Sequence, residues 1–181
     1  SPLAPGMRFV GQARTIAAVV GDNAAMHAII SMLHPGEVLV IDAENYDNRA
    51  VWGGILNTRA MLQKINGVVV DGAVRDVAEL REMPLNVFAS ATSPAGPHKG
   101  WGGSIDNVIS CGGVSVTPGD IILADDDGVR GLQPFHHMSI VRRGIILQDG
   151  RGTASIQLRI LDADVVLDRY RNACQGPKFF S

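Results

Sequence analysis

The chain has 181 residues, enough for one domain with a sizeable core, and its 46% apolar and 19% charged content is ordinary for a globular protein. A net charge of −2, a pI near 6.2, two Trp, two Tyr and five Phe provide neither a basic stripe nor a stacking platform, so no nucleic-acid partner is expected. No apolar run approaches the roughly 20 residues of a membrane helix, and "SPLAPGMRF" carries no charged-then-apolar leader, so a cytoplasmic protein is expected.

Glycine and proline divide the chain into elements. "FVGQARTIAAVV" (9–20) reads as a strand, "GDN" (21–23) as a helix cap, and "AAMHAIISMLH" (24–34) as a helix ended by Pro35–Gly36. "EVLVIDA" (37–43) is a buried strand, and residues 49–65 have helical spacing with Gly53–Gly54 near their start. "GVVVDG" (67–72) is the next strand, "DVAELREM" (76–83) a short helix and "NVFAS" (86–90) a further strand, a β-α-β-α-β succession of the α/β type. Residues 93–103 form a Gly/Pro-rich loop, and 107–129 a hairpin and a further strand with Pro118–Gly119 in the connecting turn. From Gln133 to Tyr170 the pattern alternates weakly between helix and strand. Cys111 and Cys174 match no metal or redox spacing, and Cys111 reads as a buried structural thiol.

The chemically suggestive stretch is "GVVVDGAVRD" (67–76), a β-branched run followed by Arg75–Asp76. One reading is structural: an acid at a helix start is favoured by the free N–H groups and dipole of the first turn. The other is functional. Ligands gather where strands of an open α/β sheet turn toward helices, a carboxylate there can hold a hard divalent cation, and an adjacent guanidinium can hold a carboxylate or a developing enolate oxygen. Asp71 reads as part of the turn. Asp42 and Glu44 in "DAENYDN" and His98 and Lys99 in "SPAGPHKGW" are further candidates by loop placement. "ADDDG" (124–128) reads as a solvated turn, because three consecutive acids cannot face one ion from a strand. His27 on its apolar helix reads as structural, and His136–His137 as surface or packing residues.

Six blocks in order, "PGMRFVGQARTI", "PGEVLVIDA", "AVWGGILNTRA", "GVVVDGAVRDVAEL", "VFASATSPAGPHK" and "GGVSVTPGDIILADDDGV", resemble the RraA-like family, which includes metal-dependent 4-hydroxy-4-methyl-2-oxoglutarate aldolases. The resemblance covers about residues 5–130 of what is expected to be a single domain over 1–181, with a divergent segment from 131. It implies a compact α/β fold with a β/β/α swivelling-domain-like core, and trimers or hexamers with the active site at a subunit interface. It also implies an Mg²⁺ or Mn²⁺ cofactor. By position Asp76 matches the metal ligand, and Arg75 the arginine on the substrate's carboxylate and keto oxygens. Gly53, Gly54, Ile55 and Leu56 match the helix start whose N–H groups hold the pyruvyl carboxylate.

The implied function is cleavage or decarboxylation of a short 2-oxo acid to pyruvate through a metal-stabilised enolate, of the 4-hydroxy-4-methyl-2-oxoglutarate aldolase or oxaloacetate decarboxylase type. A methyl-donor site is not expected, since no Gly-rich nucleotide loop with an acidic partner is found. Three features depart from the family pattern. The acid that aldolases carry twenty-one places before the arginine is Gly54 here (75 − 21 = 54). The N-terminal helical segment is expected to be absent or truncated. No Glu follows Glu82, leaving Asp149, Asp162, Asp164 and Asp168 as possible substitutes for a C-terminal glutamate. The alternative is a weak or inactive regulator that binds a ribonuclease or another protein.

Overall fold

The computed structural model describes residues 1–132, together with the paired strands Ile140–Val141 and Gly144–Ile145. The chain divides into two compact units, one spanning Ser1–Leu132 and the other Gln133–Gly176, to which the short strand pair belongs. The main sheet, the helices and the candidate site all belong to the first. His136–His137, Cys174 and the four candidate acids of the tail lie outside the described residues.

The first unit is built on a mixed sheet in the order β4-β3-β2-β1-β8-β9. Its parallel half comprises β1 (Phe9–Ala18), β2 (Glu37–Tyr46), β3 (Gly67–Val74) and β4 (Asn86–Thr92). The long β1 pairs antiparallel with β5 (Gly103–Ile105) along its C-terminal half and with β8 (Ile121–Asp125) along its N-terminal half. The edge strand β9 (Gly128–Leu132) pairs with β8. The crossovers carry α1 (Ala24–Ile29), α2 (Gly54–Leu62) and α3 (Val77–Glu82).

Alternation along the strands sorts two apolar layers. Leu39, Ile41, Val68 and Val70 face Met26, Ile29, Leu56 and Leu80 of the helices. Val38, Val40 and Val69 join Phe9 and Phe88 and meet Ile109, Cys111 and Val116 of a hairpin formed by β6 (Ile109–Cys111) and β7 (Val114–Val116). Hairpin, sheet and helices thus make the expected β/β/α layering. Cys111 is fully buried, and that burial holds its thiol well above the usual range, as a structural cysteine requires.

Several boundaries differ from the sequence reading. Residues 49–53 are not helical: Val51 N–H donates to Ala73 O and Arg75 N–H to Trp52 O, each at 3.0 Å, pinning the segment to the end of β3 as extended chain, and the helix starts only at Gly54. The first helix ends at Ile29 and tightens into a 3₁₀ turn over Ile30–Met32 before Pro35, and its start is held by Asp22, whose Oδ1 accepts Ala24 N–H at 2.8 Å. Strand β2 runs on to Tyr46 through an irregularity where Glu44 and Asn45 adopt positive φ. Asp71 is not in a turn. It lies inside β3 opposite Asp42, buried, with Oδ2 accepting Gly112 N–H at 2.6 Å. Asp125–Gly128 does form a turn, where Asp125 Oδ1 accepts Asp127 N–H at 3.0 Å.

Candidate active site

Strand β3 delivers Val74 into the core and then stops. Arg75 emerges half-buried, and Asp76 takes a left-handed conformation (φ 58°, ψ 36°) as the residue before α3. Asp is one of the residues that tolerates that region, and strained backbone of this kind gathers at functional positions. The turn projects both side chains toward the start of α2. Arg75 Nε and Asp76 Oδ2 are 3.5 Å apart, with the two side chains 38% and 39% exposed, so the pair is open to a ligand.

The glycine pair allows this closeness. A Cβ on Gly53 would fall 2.7 Å from Asp76 Oδ2 and 2.9 Å from Arg75 Cγ, and one on Gly54 would fall 2.5 Å from Glu79 Oε2. Gly54 N–H donates to Asp76 Oδ2 at 3.1 Å. The N–H groups of Ile55 and Leu56, in the first turn of α2, have no partner within the helix. Gly53, Gly54, Ile55 and Leu56 therefore do meet Arg75 and Asp76 in one place, with the Gly54 donor already engaged by the carboxylate.

A cavity of about 280 Å³ opens from this corner, and Arg75, Trp52, Gly53, Asn23, His27 and Lys99 are among the residues that line it. Loop 93–99 closes it and is tied by its backbone: Ser93 N–H donates to Val74 O, Ala50 N–H to Ala95 O, His98 N–H to Gly21 O and Asn23 N–H to His98 O. Gly96 lies close enough to Arg75 that an added Cβ would come within 3.1 Å of Nη1. Of the loop candidates, Lys99 lines the cavity, while the His98 ring stacks on Trp101 with centroids 4.5 Å apart. Asp42 is used elsewhere, accepting from Glu44 N–H and Ser110 N–H.

Three residues went unrecognised in the sequence. Glu79 sits one turn beyond Asp76, a spacing that puts both on one side of the helix start. Asn23 was legible only as a cap, and His27 only as a core histidine. The His27 imidazole instead lines the cavity, with Nδ1 2.8 Å from Arg59 Nη1. Burial, then Arg59 and Lys99, holds its pKa below the usual histidine value. A guanidinium can only donate, so Nδ1 accepts and the neutral ring carries its proton on Nε2.

Among the described residues there is no cluster of three or more metal-ligating side chains. Carboxylates do stand at the site: Asp76, with one oxygen turned to a backbone N–H, and Glu79 above Gly54. Such a sparse oxygen set suits a hard cation that keeps most of its waters and does not suit a caged ion.

Residues 1–130 match the family described as Aldolase/RraA. The chain belongs to that family. It is 40% identical over 128 residues, 71% of this chain and 61% of the other, to "Putative 4-hydroxy-4-methyl-2-oxoglutarate aldolase" of Halalkalibacterium halodurans. It is 39% identical over 122 residues, 67% of this chain and 74% of the other, to 4-hydroxy-4-methyl-2-oxoglutarate aldolase of Thermus thermophilus. In three dimensions it resembles the RNA-processing inhibitor RraA of Thermus thermophilus with a TM-score of 0.69 and 38% identity, over 73% of this chain and 80% of that one. The chain thus spans 61% of the length of the Halalkalibacterium relative, and all of the site described above lies within the matched residues.

Proposed function

We propose that this site cleaves a carbon–carbon bond in a short 2-oxo acid and releases pyruvate. The observation that carries the reading is that a half-exposed guanidinium and the first turn of α2 line one cavity, with the strained Asp76 beside them, bonded to Gly54 N–H and 3.5 Å from Arg75 Nε. The first-turn N–H groups of Ile55 and Leu56 take the substrate's carboxylate, as helix N-termini do for anions. The Arg75 guanidinium lies where it can donate to both the carboxylate and the 2-keto oxygen, and it offsets the negative charge that grows on that oxygen as the bond breaks. Asp76 and Glu79 are the carboxylates that would hold an Mg²⁺ or Mn²⁺ ion. Such an ion supplies Lewis-acid polarisation of the 2-keto group.

In the aldol case a base, for which solvent water suffices, takes the C4 hydroxyl proton, and the C3–C4 bond breaks as C4 becomes a carbonyl. The electron pair passes into the enolate of pyruvate, and water returns a proton to that enolate at carbon. Loss of CO₂ from oxaloacetate leaves the same enolate, so one arrangement serves both substrates. We further propose a trimer or hexamer with the site at its interface. Ile55 and Leu62, on one face of α2, are 68% and 71% exposed beside the cavity and form a surface that a neighbouring subunit would cover.

The test is pyruvate release from 4-hydroxy-4-methyl-2-oxoglutarate and from oxaloacetate with Mg²⁺ or Mn²⁺. Activity in the wild type that Asp76→Ala abolishes is expected; activity that is absent, or that survives Asp76→Ala undiminished, refutes the proposal. A second reading is that of a regulator binding a ribonuclease. It is favoured by the likeness to the Thermus inhibitor and by Gly54, where the family's aldolases carry an acid. Capture of a ribonuclease by a protein that shows no lyase activity would establish it.

A further inference from the structure

The backbone that links the two halves of the site is weak at one point. Arg75 is anchored through its N–H to Trp52 O at 3.0 Å, whereas Ile55 and Leu56 belong to the first turn of α2. Between Trp52 and that turn lie Gly53 and Gly54, where a Cβ would collide with Asp76, Arg75 or Glu79. Glycine has the freest backbone of any residue, so this link by itself relates guanidinium and helix start only loosely. One buried side chain spans it. Asn57, fully buried in α2, accepts Trp52 Nε1–H on Oδ1 at 3.2 Å and donates from Nδ2 to Met83 Sδ at 3.2 Å. An indole N–H can only donate and a thioether can only accept, so the two partners fix which end of the amide faces each. Asn57 N–H also donates to Gly53 O at 3.0 Å. Met83 closes α3, the helix that Asp76 precedes.

We propose that Asn57 is a positioning residue for the site, its amide stapling the Arg75 anchor, the start of α2 and the end of α3 across the glycine pair. Asn57 does not line the cavity, and it acts through Trp52 and Met83. A substrate that bridges Arg75 and the first-turn N–H groups needs their separation fixed before it binds. Misplacement by about 1 Å costs on the order of 100-fold in rate. A residue with only packing to do at position 57 would be apolar, because a buried amide is tolerated where its ends are paired. The kinetic consequence rests on the 2-oxo acid reading of the Arg75 corner, while the staple itself rests on the hydrogen bonds alone.

The test uses the full chain carrying Trp52→Phe, Asn57→Leu, or both. Each removes the indole–amide bond, and in the double variant the volume that leucine adds is close to what phenylalanine gives up, so the core stays filled. Backbone amide exchange is followed by NMR. In the double variant Val40 and Val69, buried in β2 and β3, are expected to exchange within about threefold of wild type, and the N–H groups of Arg75 and Gly54 about tenfold faster or more. All three variants should lower kcat/KM for pyruvate release by a similar factor, about tenfold or more, because each breaks the same bond. Equal acceleration of all four amides, or of none, overturns the staple. Single-variant losses that multiply in the double variant, or an unchanged kcat/KM, overturn the positioning role. A wild type that releases no pyruvate refutes the 2-oxo acid reading, and the exchange pattern then decides the staple by itself.

Discussion

Glu79 stands over Gly54: a Cβ at residue 54 would fall within 2.5–2.7 Å of all three carboxyl atoms of the Glu79 side chain. The glutamate occupies the space into which a side chain at 54 would grow, and 54 is the position at which the family resemblance implies an acid. Gly54→Asp is therefore expected to crowd the introduced carboxylate against Glu79 and Asp76 and to lower stability by about 1 kcal/mol. In a Glu79→Ala background the same substitution should cost little. A urea-denaturation double-mutant cycle checks this, with a coupling of at least about 0.5 kcal/mol expected. An equal cost in both backgrounds would show that the two positions do not compete for the space.

The sequence made the Arg75–Asp76 corner legible because a strand's end, a glycine pair and an adjacent charge pair are all local signals. The α/β succession was readable for the same reason, and so was the burial of β3. What escaped depended on chain segments far apart. Helical spacing over 49–65 concealed that Val51 and Trp52 bond to the end of β3, a long-range contact that overrides local propensity. Asp71 looked like a turn residue because no local pattern announces the Gly112 N–H that accommodates its carboxylate inside a strand. Asn23 and His27 are brought to Lys99 only by the loop that bonds Gly21 and Asn23 to His98.

Arg75 cannot be replaced by another cation if its fork of donors spans a carboxylate and a keto oxygen. Arg75→Lys keeps the charge but loses the planar pair of N–H groups. It is expected to lower kcat/KM for pyruvate release about 100-fold or more, in the range seen when one oxyanion donor is removed, while leaving the thermal midpoint within a few degrees. Steady-state kinetics and thermal denaturation on the same preparation check this. A lysine variant with near wild-type kcat/KM would assign Arg75 to charge alone.

Asp71 makes a pH prediction of opposite sign to most carboxylates. Burial first, and Asp42 across the register second, raise its pKa, while the bond from Gly112 N–H works the other way. The folded state thus holds the Asp71 proton more tightly than the unfolded chain does. This contribution to stability is fully present below the ordinary carboxylate value of about 3.9 and declines as pH rises through the raised value. Asp71→Asn keeps an acceptor for Gly112 N–H and removes the charge. It is expected to raise the thermal midpoint at pH 7, with the gain vanishing toward pH 3. A constant loss of stability across that range would mean that the ionised carboxylate is what Gly112 needs.

Gly67, the first residue of β3, is fixed by packing. A Cβ there would land on the Phe9 ring, which is itself held edge-on against Phe88 with centroids 5.4 Å apart. The ring is buried at 3% exposure between strands and cannot swing into solvent as a surface side chain would. Gly67→Ala should therefore destabilise by about 2–3 kcal/mol, the cost of overpacking a dense core, even though alanine would ordinarily gain about 0.4–1 kcal/mol by restricting the unfolded chain. Phe9→Leu in the same background vacates ring volume and should recover part of the loss. Chemical denaturation of the two single variants and the double variant decides this. If Gly67→Ala is neutral, the contact between β3 and Phe9 is looser than these distances imply, and the glycine is set by the backbone instead.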